Sequence, residues 1–313
     1  MLRARCWMLV AAATVAALFL AAGFCRGRAS GNPRNSLTVD GRKRTFELHV
    51  PPSYTRGTPA PLVLALHGRL GTGNGMAKLT HFDAVADSNG FLVAYPDGLD
   101  RSWADGRGTS PSEKKGVDDV KFLAELIAAI SREYSVDPAR VYIAGISNGG
   151  FMTQRAVCEL SDRIAAAVVD AALLGENLAA SCRLTRAVPM LFVQGSADPI
   201  VPITGGALGK NASHGLVLSY TDTIRKWREW DGCKGAGEVA KLPELVNDGT
   251  FIRRETFAGC AQRAEVTAYT VVNGGHAWPG GLAYLPKSII GITSRNMDAS
   301  QVAWEFFARH PLP

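Results

Sequence analysis

The stretch Val141-Tyr142-Ile143-Ala144-Gly145-Ile146-Ser147-Asn148-Gly149-Gly150 decides the fold. Residues 141–144 form a short apolar run of the kind buried in a strand. Residues 148–160 continue as a helix, and a G-x-S-x-G element joins the two. Gly145 and Gly149 lack Cβ atoms, so the chain can turn sharply from strand into helix. The turn sets the Ser147 hydroxyl at a helix N-terminus, where backbone N–H groups favour developing negative charge. An incidental glycine-rich turn is the bland alternative, and the strand-before, helix-after context speaks against it.

Outward from this point, strand-like and helix-like runs alternate. Residues 62–66 are continuously apolar, as in a strand covered on both faces, and residues 91–95, 165–169, 190–194, 251–257 and 265–272 also read as strands. Residues 45–50 alternate like a half-buried strand that Pro51-Pro52 stops. Helices are predicted over 76–89, 118–134, 219–230 and 297–308. In the second of these, Phe122, Leu126, Ile127 and Ile130 share one face. Such alternation predicts an α/β fold: a mostly parallel, doubly wound sheet with helices on both faces and no large cap domain. No repeat or linker divides residues 37–313, so one domain is expected there.

A serine hydroxyl needs a positioned base, and the base needs an orienting acid. In a hydrolase of this architecture the chain order is serine, acid, histidine. Asp198 follows the predicted strand 190–194, and His276 follows the strand 265–272. Both therefore lie at carboxyl ends of strands, where open α/β sheets place their sites. Asp170, after the strand 165–169, is the competing acid. His49, His81, His214 and His310 lie in contexts that suit surface or core roles. The oxyanion should be held by the backbone N–H of Asn148 and by that of Arg69 or Leu70, in the loop after the strand 62–66. His67 in the same loop suits a structural role. Trp103 and Trp278 fall on the same side of the sheet and are candidate walls of a substrate cleft, with packing beneath their loops as the alternative. Asp118 and Asp119 open a helix, where carboxylates complement its dipole.

Composition removes other classes. An apolar content of 47% excludes a disordered chain. The net charge is +6, falling to +4 once Arg3 and Arg5 are set aside, and the surplus is scattered, so nucleic acid is not an expected partner. Arg3 and Arg5 precede an apolar stretch at residues 9–22 and a small-residue site at Ala21-Ala22-Gly23, which reads as a signal peptide over residues 1–25. Cys25 stands where a lipoprotein signal places its acylated cysteine, but Phe24 occupies a position that wants a small residue, so ordinary cleavage is expected and a lipid anchor is the alternative. Residues 26–36 read as a flexible leader. In an exported chain cysteines tend to pair. Cys158, Cys182, Cys233 and Cys260 allow three pairings, among which proximity favours Cys158–Cys182 and Cys233–Cys260. No C-x-x-C spacing supports a metal site.

His67-Gly68, Tyr95-Pro96-Asp97-Gly98, Val117-Asp118-Asp119, Gly145-Ile146-Ser147-Asn148-Gly149-Gly150 and Gly274-Gly275-His276-Ala277-Trp278-Pro279-Gly280 occur in this order along the chain. In this the chain resembles secreted polyhydroxybutyrate depolymerase-like esterases of the α/β-hydrolase superfamily, and it is similar to the related feruloyl esterases. The likeness spans roughly residues 37–310 and is specific for the family rather than for a substrate. It implies a serine esterase with no metal or organic cofactor, with Ser147 as nucleophile, Asp198 as acid and His276 as base. It also implies the disulfides Cys158–Cys182 and Cys233–Cys260. The chain departs from the pattern at Arg69-Leu70, where glycines often follow the His-Gly pair, and at Asp170-Ala171-Ala172, where a glycine-containing loop is usual.

The expected function is hydrolysis of carboxylic esters of feruloyl, acetyl or short hydroxyalkanoate type by a secreted or periplasmic monomer. Depolymerisation of insoluble polyester is the alternative; it usually calls for an added surface-binding module, and the 37 residues after His276 leave no room for one. A peptidase shares the same catalytic groups. A non-catalytic binding protein on the same fold would have no use for a complete triad.

Overall fold

The computed structural model describes residues 34–313. The expected signal peptide, Cys25 and most of the expected leader lie outside the described residues. The leader's last residues do not: Arg34–Val39 is strand β1, paired antiparallel with β2 (Arg42–His49). The remaining strands of the main sheet are β3 (Ala60–Leu66), β4 (Leu92–Pro96), β5 (Val136–Ile146), β6 (Ala166–Asp170) and β7 (Met190–Gly195), then β10 (Glu238–Lys241), β11 (Phe251–Phe257) and β12 (Val266–Val272). A separate ribbon pairs β8 (Gly206–Ala207) with β9 (Leu216–Val217).

The order across the sheet is β1-β2-β4-β3-β5-β6-β7-β12-β11-β10. The central strands from β4 to β12 run parallel, and antiparallel strands flank them on both sides. Two consequences of this order matter for the site. β5 lies at the middle of the parallel block, and β7 and β12 are neighbours although 70 residues separate Gly195 from Val266 in the sequence numbering, so loops distant in sequence meet at one end.

The helices are α1 (Gly73–Thr80), α2 (Phe82–Asn89), α3 (Pro111–Lys114), α4 (Asp119–Glu133), α5 (Asn148–Glu159), α6 (Glu176–Ser181), α7 (Tyr220–Trp230), α8 (Lys287–Ile290) and α9 (Ala299–Ala308). They cover both faces because the central strands are apolar on both. Along β3, Leu62, Leu64 and Leu66 join a core layer with Phe122, Met152 and Trp227 of α4, α5 and α7. Val63 and Ala65 point the other way, into a layer with Phe82 of α2 and Phe306 and Phe307 of α9. The single helix expected over 76–89 is two helices, because His81 takes a left-handed conformation (φ 56°) that ends α1 and starts α2. Asp118 caps α4, accepting from the Lys121 N–H at 2.9 Å. Asp119 instead turns inward. It meets Arg44 at 2.6 Å and the Ala104 N–H at 2.7 Å, tying α4 to β2 and to the Trp103 loop. Burial raises its pKa although Arg44 opposes the shift.

Disulfides join Cys158 at the end of α5 to Cys182 at the end of α6, and Cys233 after α7 to Cys260 between β11 and β12.

Candidate active site

Ser147 lies between β5 and α5 with φ 55° and ψ −124°, a conformation that costs about 1–3 kcal/mol and persists only where its surroundings enforce it. The enforcing contacts are backbone ones. The Ser147 N–H donates to Asp170 O at 2.9 Å, and Ser147 O accepts from the Phe151 N–H at 2.9 Å. Glycine is required twice in this turn: a Cβ on Gly145 would stand 2.3 Å from Gly149 O, and one on Gly149 would stand 2.2 Å from Leu66 O. The serine is left partly exposed at the head of α5, and its hydroxyl caps no helical N–H.

Asp198 and His276 meet because β7 and β12 are neighbours. His276 Nδ1 lies 2.7 Å from Asp198 Oδ2, with both side chains buried. Asp198 Oδ1 accepts the N–H groups of Ile200 and Val201 at 2.8 Å each, and Gln194 Nε2 approaches Oδ2 at 3.2 Å. A carboxylate in that frame accepts from Nδ1–H, which leaves Nε2 as the ring's acceptor. The His276 backbone is held as well: its N–H donates to Ile290 O at 2.6 Å, and its carbonyl accepts from the Tyr284 hydroxyl at 3.0 Å. No hydrogen bond joins Ser147 Oγ to His276 in this structure; contacts of this kind commonly tighten only around substrate.

Asp170 has a different environment. It is fully buried, its Oδ2 has no hydrogen-bond partner among the described residues, and burial together with the charge of Asp198 raises its pKa well above the usual carboxylate range. The Asp170 carboxyl makes no hydrogen bond to His276, whose Nδ1 faces Asp198. Its backbone carbonyl, which holds Ser147, is the part of Asp170 that serves the turn.

Of the candidate oxyanion donors, Asn148 heads α5, where a first-turn N–H has no helical partner. Its side chain faces away, bonded to the Trp103 N–H at 2.8 Å and to Asp105 Oδ2 at 2.5 Å. The Leu70 N–H is already donated to Arg101 O at 2.8 Å, so of the two candidates in this loop only Arg69 has an N–H without an acceptor among the described residues. The loop is anchored by His67, whose Nε2 accepts from the Gly98 N–H at 2.9 Å and whose Nδ1 donates to Gly68 O at 2.7 Å. Burial holds the His67 pKa below its usual value, in keeping with this neutral, structural ring.

Trp103 and Trp278 do not wall a cleft. Both are 0% exposed. Trp103 lies under the loop and donates Nε1–H to His67 O at 2.8 Å, while Trp278 donates to Ser300 Oγ at 3.0 Å and packs edge-on against Phe82. Each supports the loop that carries the chemistry. The cavity at Ser147, about 150 Å³, is instead lined by Phe151, Ile200, Val201 and Leu208 together with Arg69, Arg107 and His214. The sequence pointed to none of these as cavity residues except through the loops that hold them. Among the described residues no group of three or more His, Cys, Asp or Glu side chains is placed to hold a metal ion.

The sequence profile of the family described as Esterase PHB depolymerase matches residues 44–205. The protein named "Putative esterase NocK" from Nocardia uniformis subsp. tsuyamanensis is 30% identical over 283 residues, covering 86% of this chain and 80% of that one. Feruloyl esterase B of Piromyces equi is 28% identical over 232 residues, 72% of this chain and 41% of that longer protein. Among solved structures, the acetyl xylan esterase from Aspergillus awamori superposes with a TM-score of 0.54 at 16% identity, over 78% of this chain and 94% of that one, a likeness of fold. The chain belongs to the Esterase PHB depolymerase family and is a carboxylic ester hydrolase.

Proposed function

We propose that Ser147, His276 and Asp198 form a catalytic triad that hydrolyses esters through an acyl-enzyme. The observation that carries this reading is the placement of a strained elbow serine after β5 and of a buried, hydrogen-bonded His276–Asp198 pair after β12 and β7, each at the carboxyl end of a parallel strand. In the proposed cycle Ser147 Oγ attacks the ester carbonyl carbon while its proton passes to His276 Nε2. The carbonyl oxygen, now an oxyanion, is held by the N–H groups of Asn148 and Arg69. Collapse returns the electron pair, the C–O bond to the alcohol breaks, and the alcohol leaves with the proton from His276. Water then attacks the acyl-enzyme by the same route in reverse, releasing the acid and restoring Ser147. Asp198 keeps its charge throughout and fixes the tautomer.

The cavity suits a small acyl group with an apolar body, which supports feruloyl, acetyl or short hydroxyalkanoate esters. A second reading, attack on a polymeric ester, is favoured by exposed Leu70, Ile200, Leu282, Leu285 and Ile289, all on segments that follow the carboxyl ends of β3, β7 and β12. Residues 1–25 are proposed to export the chain, with acylation at Cys25 as the lesser route. The basic start, the apolar run and the paired cysteines support export. Hydrolysis of methyl ferulate, acetylated xylan, p-nitrophenyl acetate and a poly(3-hydroxybutyrate) film by the purified enzyme tests the substrate reading. Turnover of the small esters with an intact film supports the first reading, and clearing of the film supports the second.

A further inference from the structure

The lining of the cavity at Ser147 carries more positive charge than hydrolysis of a neutral ester requires. Arg69, from the loop after β3, reaches across to His214, in the β8–β9 ribbon, and places one guanidinium nitrogen 3.1 Å from its Nδ1. A guanidinium has five N–H donors and stays protonated, so the imidazole edge that accepts from it is neutral. Burial, Arg69 and Arg107 lower the pKa of His214, in keeping with that role. Among the described residues no carboxylate pairs with Arg69, and its side chain is exposed.

The acids of this wall are turned away from the cavity. Asp105 is buried, paired with Arg107 at 2.6 Å and bonded to the Asn148 side chain. Glu113 accepts the N–H groups of Gly106, Gly108, Thr109 and Ser110 at 2.7–3.0 Å, which occupies both its oxygens. Arg107, though paired, also stacks on Phe151 with its guanidinium carbon 3.7 Å from the ring centroid, and it lines the same cavity. Ser147, the apolar side chains of Phe151, Val201 and Leu208 and a guanidinium that no carboxylate among the described residues neutralises thus line one cavity.

We infer that this enzyme prefers esters that carry a carboxylate a few bonds from the scissile carbonyl, on the acid or the alcohol side, with Arg69 as the residue that recognises it. An incoming carboxylate would displace the His214 edge and take two parallel N–H donors in its place. This deepens the proposed function and rests on Ser147 as the nucleophile.

Two pairs of substrates test it. On the acid side, monomethyl adipate is compared with methyl 6-methylheptanoate, in which methyl groups replace the carboxylate oxygens. On the alcohol side, acetoxyacetate is compared with isobutyl acetate. The readout is the ratio of kcat/KM, anionic over neutral, within each pair. In at least one pair the wild-type ratio should be roughly tenfold or more, the scale of a charge-assisted bidentate contact. It should fall as salt is raised from low ionic strength to 1 M, and Arg69→Gln should bring it near one whatever that change does to absolute rates. The pair that shows the preference tells acid side from alcohol side. The salt series uses the wild-type enzyme, so the test survives a poorly folding variant. A ratio at or below one in both pairs, or one that neither salt nor Arg69→Gln moves, overturns the inference. Failure on all four esters by an enzyme whose Ser147 still takes a fluorophosphonate also overturns it, while loss of that labelling would remove the proposed function beneath it.

Discussion

Replacing Asp198 by asparagine should separate the two acidic residues that compete for the role beside His276. The wild-type carboxylate satisfies two fixed donors with Oδ1, the N–H groups of Ile200 and Val201 at 2.8 Å, and faces His276 Nδ1 at 2.7 Å with Oδ2. Asparagine has one acceptor oxygen and one donor nitrogen. The backbone N–H groups cannot move, whereas the imidazole can change tautomer, so the amide oxygen stays with Ile200 and Val201 and the NH2 turns to His276. The ring must then accept at Nδ1 and carry its proton on Nε2, where it cannot take the proton of Ser147. A wrong tautomer in otherwise intact geometry costs on the order of 10⁴ in kcat in a serine protease, equivalent to about 5 kcal/mol of transition-state stabilisation. Asp170→Asn replaces a buried carboxyl that makes no bond to His276 by an amide of the same shape and keeps the carbonyl that holds Ser147, so kcat should stay within about threefold of wild type. The assay is steady-state hydrolysis of p-nitrophenyl acetate, with circular dichroism to confirm that both variants fold. An active Asp198→Asn enzyme beside an inactive Asp170→Asn enzyme would refute the tautomer reasoning and move the acid to the end of β6.

Other changes test the frame around the site. Gly149→Ala puts a Cβ 2.2 Å from Leu66 O and 2.6 Å from His67 O, both backbone atoms, and should destabilise the protein by about 3 kcal/mol or more, read as a lowered denaturation midpoint. The disulfides close loops with sequence separations of 24 and 27, so each should contribute roughly 3–4 kcal/mol in the loop-entropy view, and denaturant titration with and without reductant measures the sum. Asp231, buried at the end of α7 with no partner for Oδ2 among the described residues, has its pKa raised from 3.8 to about 7, chiefly by burial. A folded-state pKa above the unfolded value means that stability is fully present below pH 3.8 and is lost as pH rises through about 7. That interval is worth roughly 4 kcal/mol, so Asp231→Asn should flatten the loss, and unfolding titrations at pH 4 and pH 8 should show it.

Elements were legible in the sequence where one residue type has one physical use. Gly145 and Gly149 mark the turn because a Cβ fits at neither place. The apolar runs of β3, β5, β6 and β7 read as strands because both their faces are covered. The two tryptophans were harder. Trp103 and Trp278 sit in loops, which suggested a cleft wall, but each indole N–H finds a buried acceptor and the rings fill the space under the loop. The break at His81 was invisible because the flanking periodicity continues through it. Arg44 is buried against Asp119 and over the ring of Phe122, contacts between residues distant in sequence that no local pattern announces. The cavity lining was likewise out of reach, since Arg69 and His214 are 145 residues apart.

Ser147 is proposed as the nucleophile, and covalent labelling reads that role without reference to any substrate. The wild-type enzyme is treated with a fluorophosphonate, digested and mapped by mass spectrometry, and Ser147→Ala is carried in parallel with its rate of ester hydrolysis. The expected result is one adduct, on the peptide containing Ser147, no adduct in the variant, and a loss of at least about 10³ in kcat with the fold retained. An adduct on another residue, or a Ser147→Ala enzyme that keeps more than about a tenth of wild-type kcat, would contradict it.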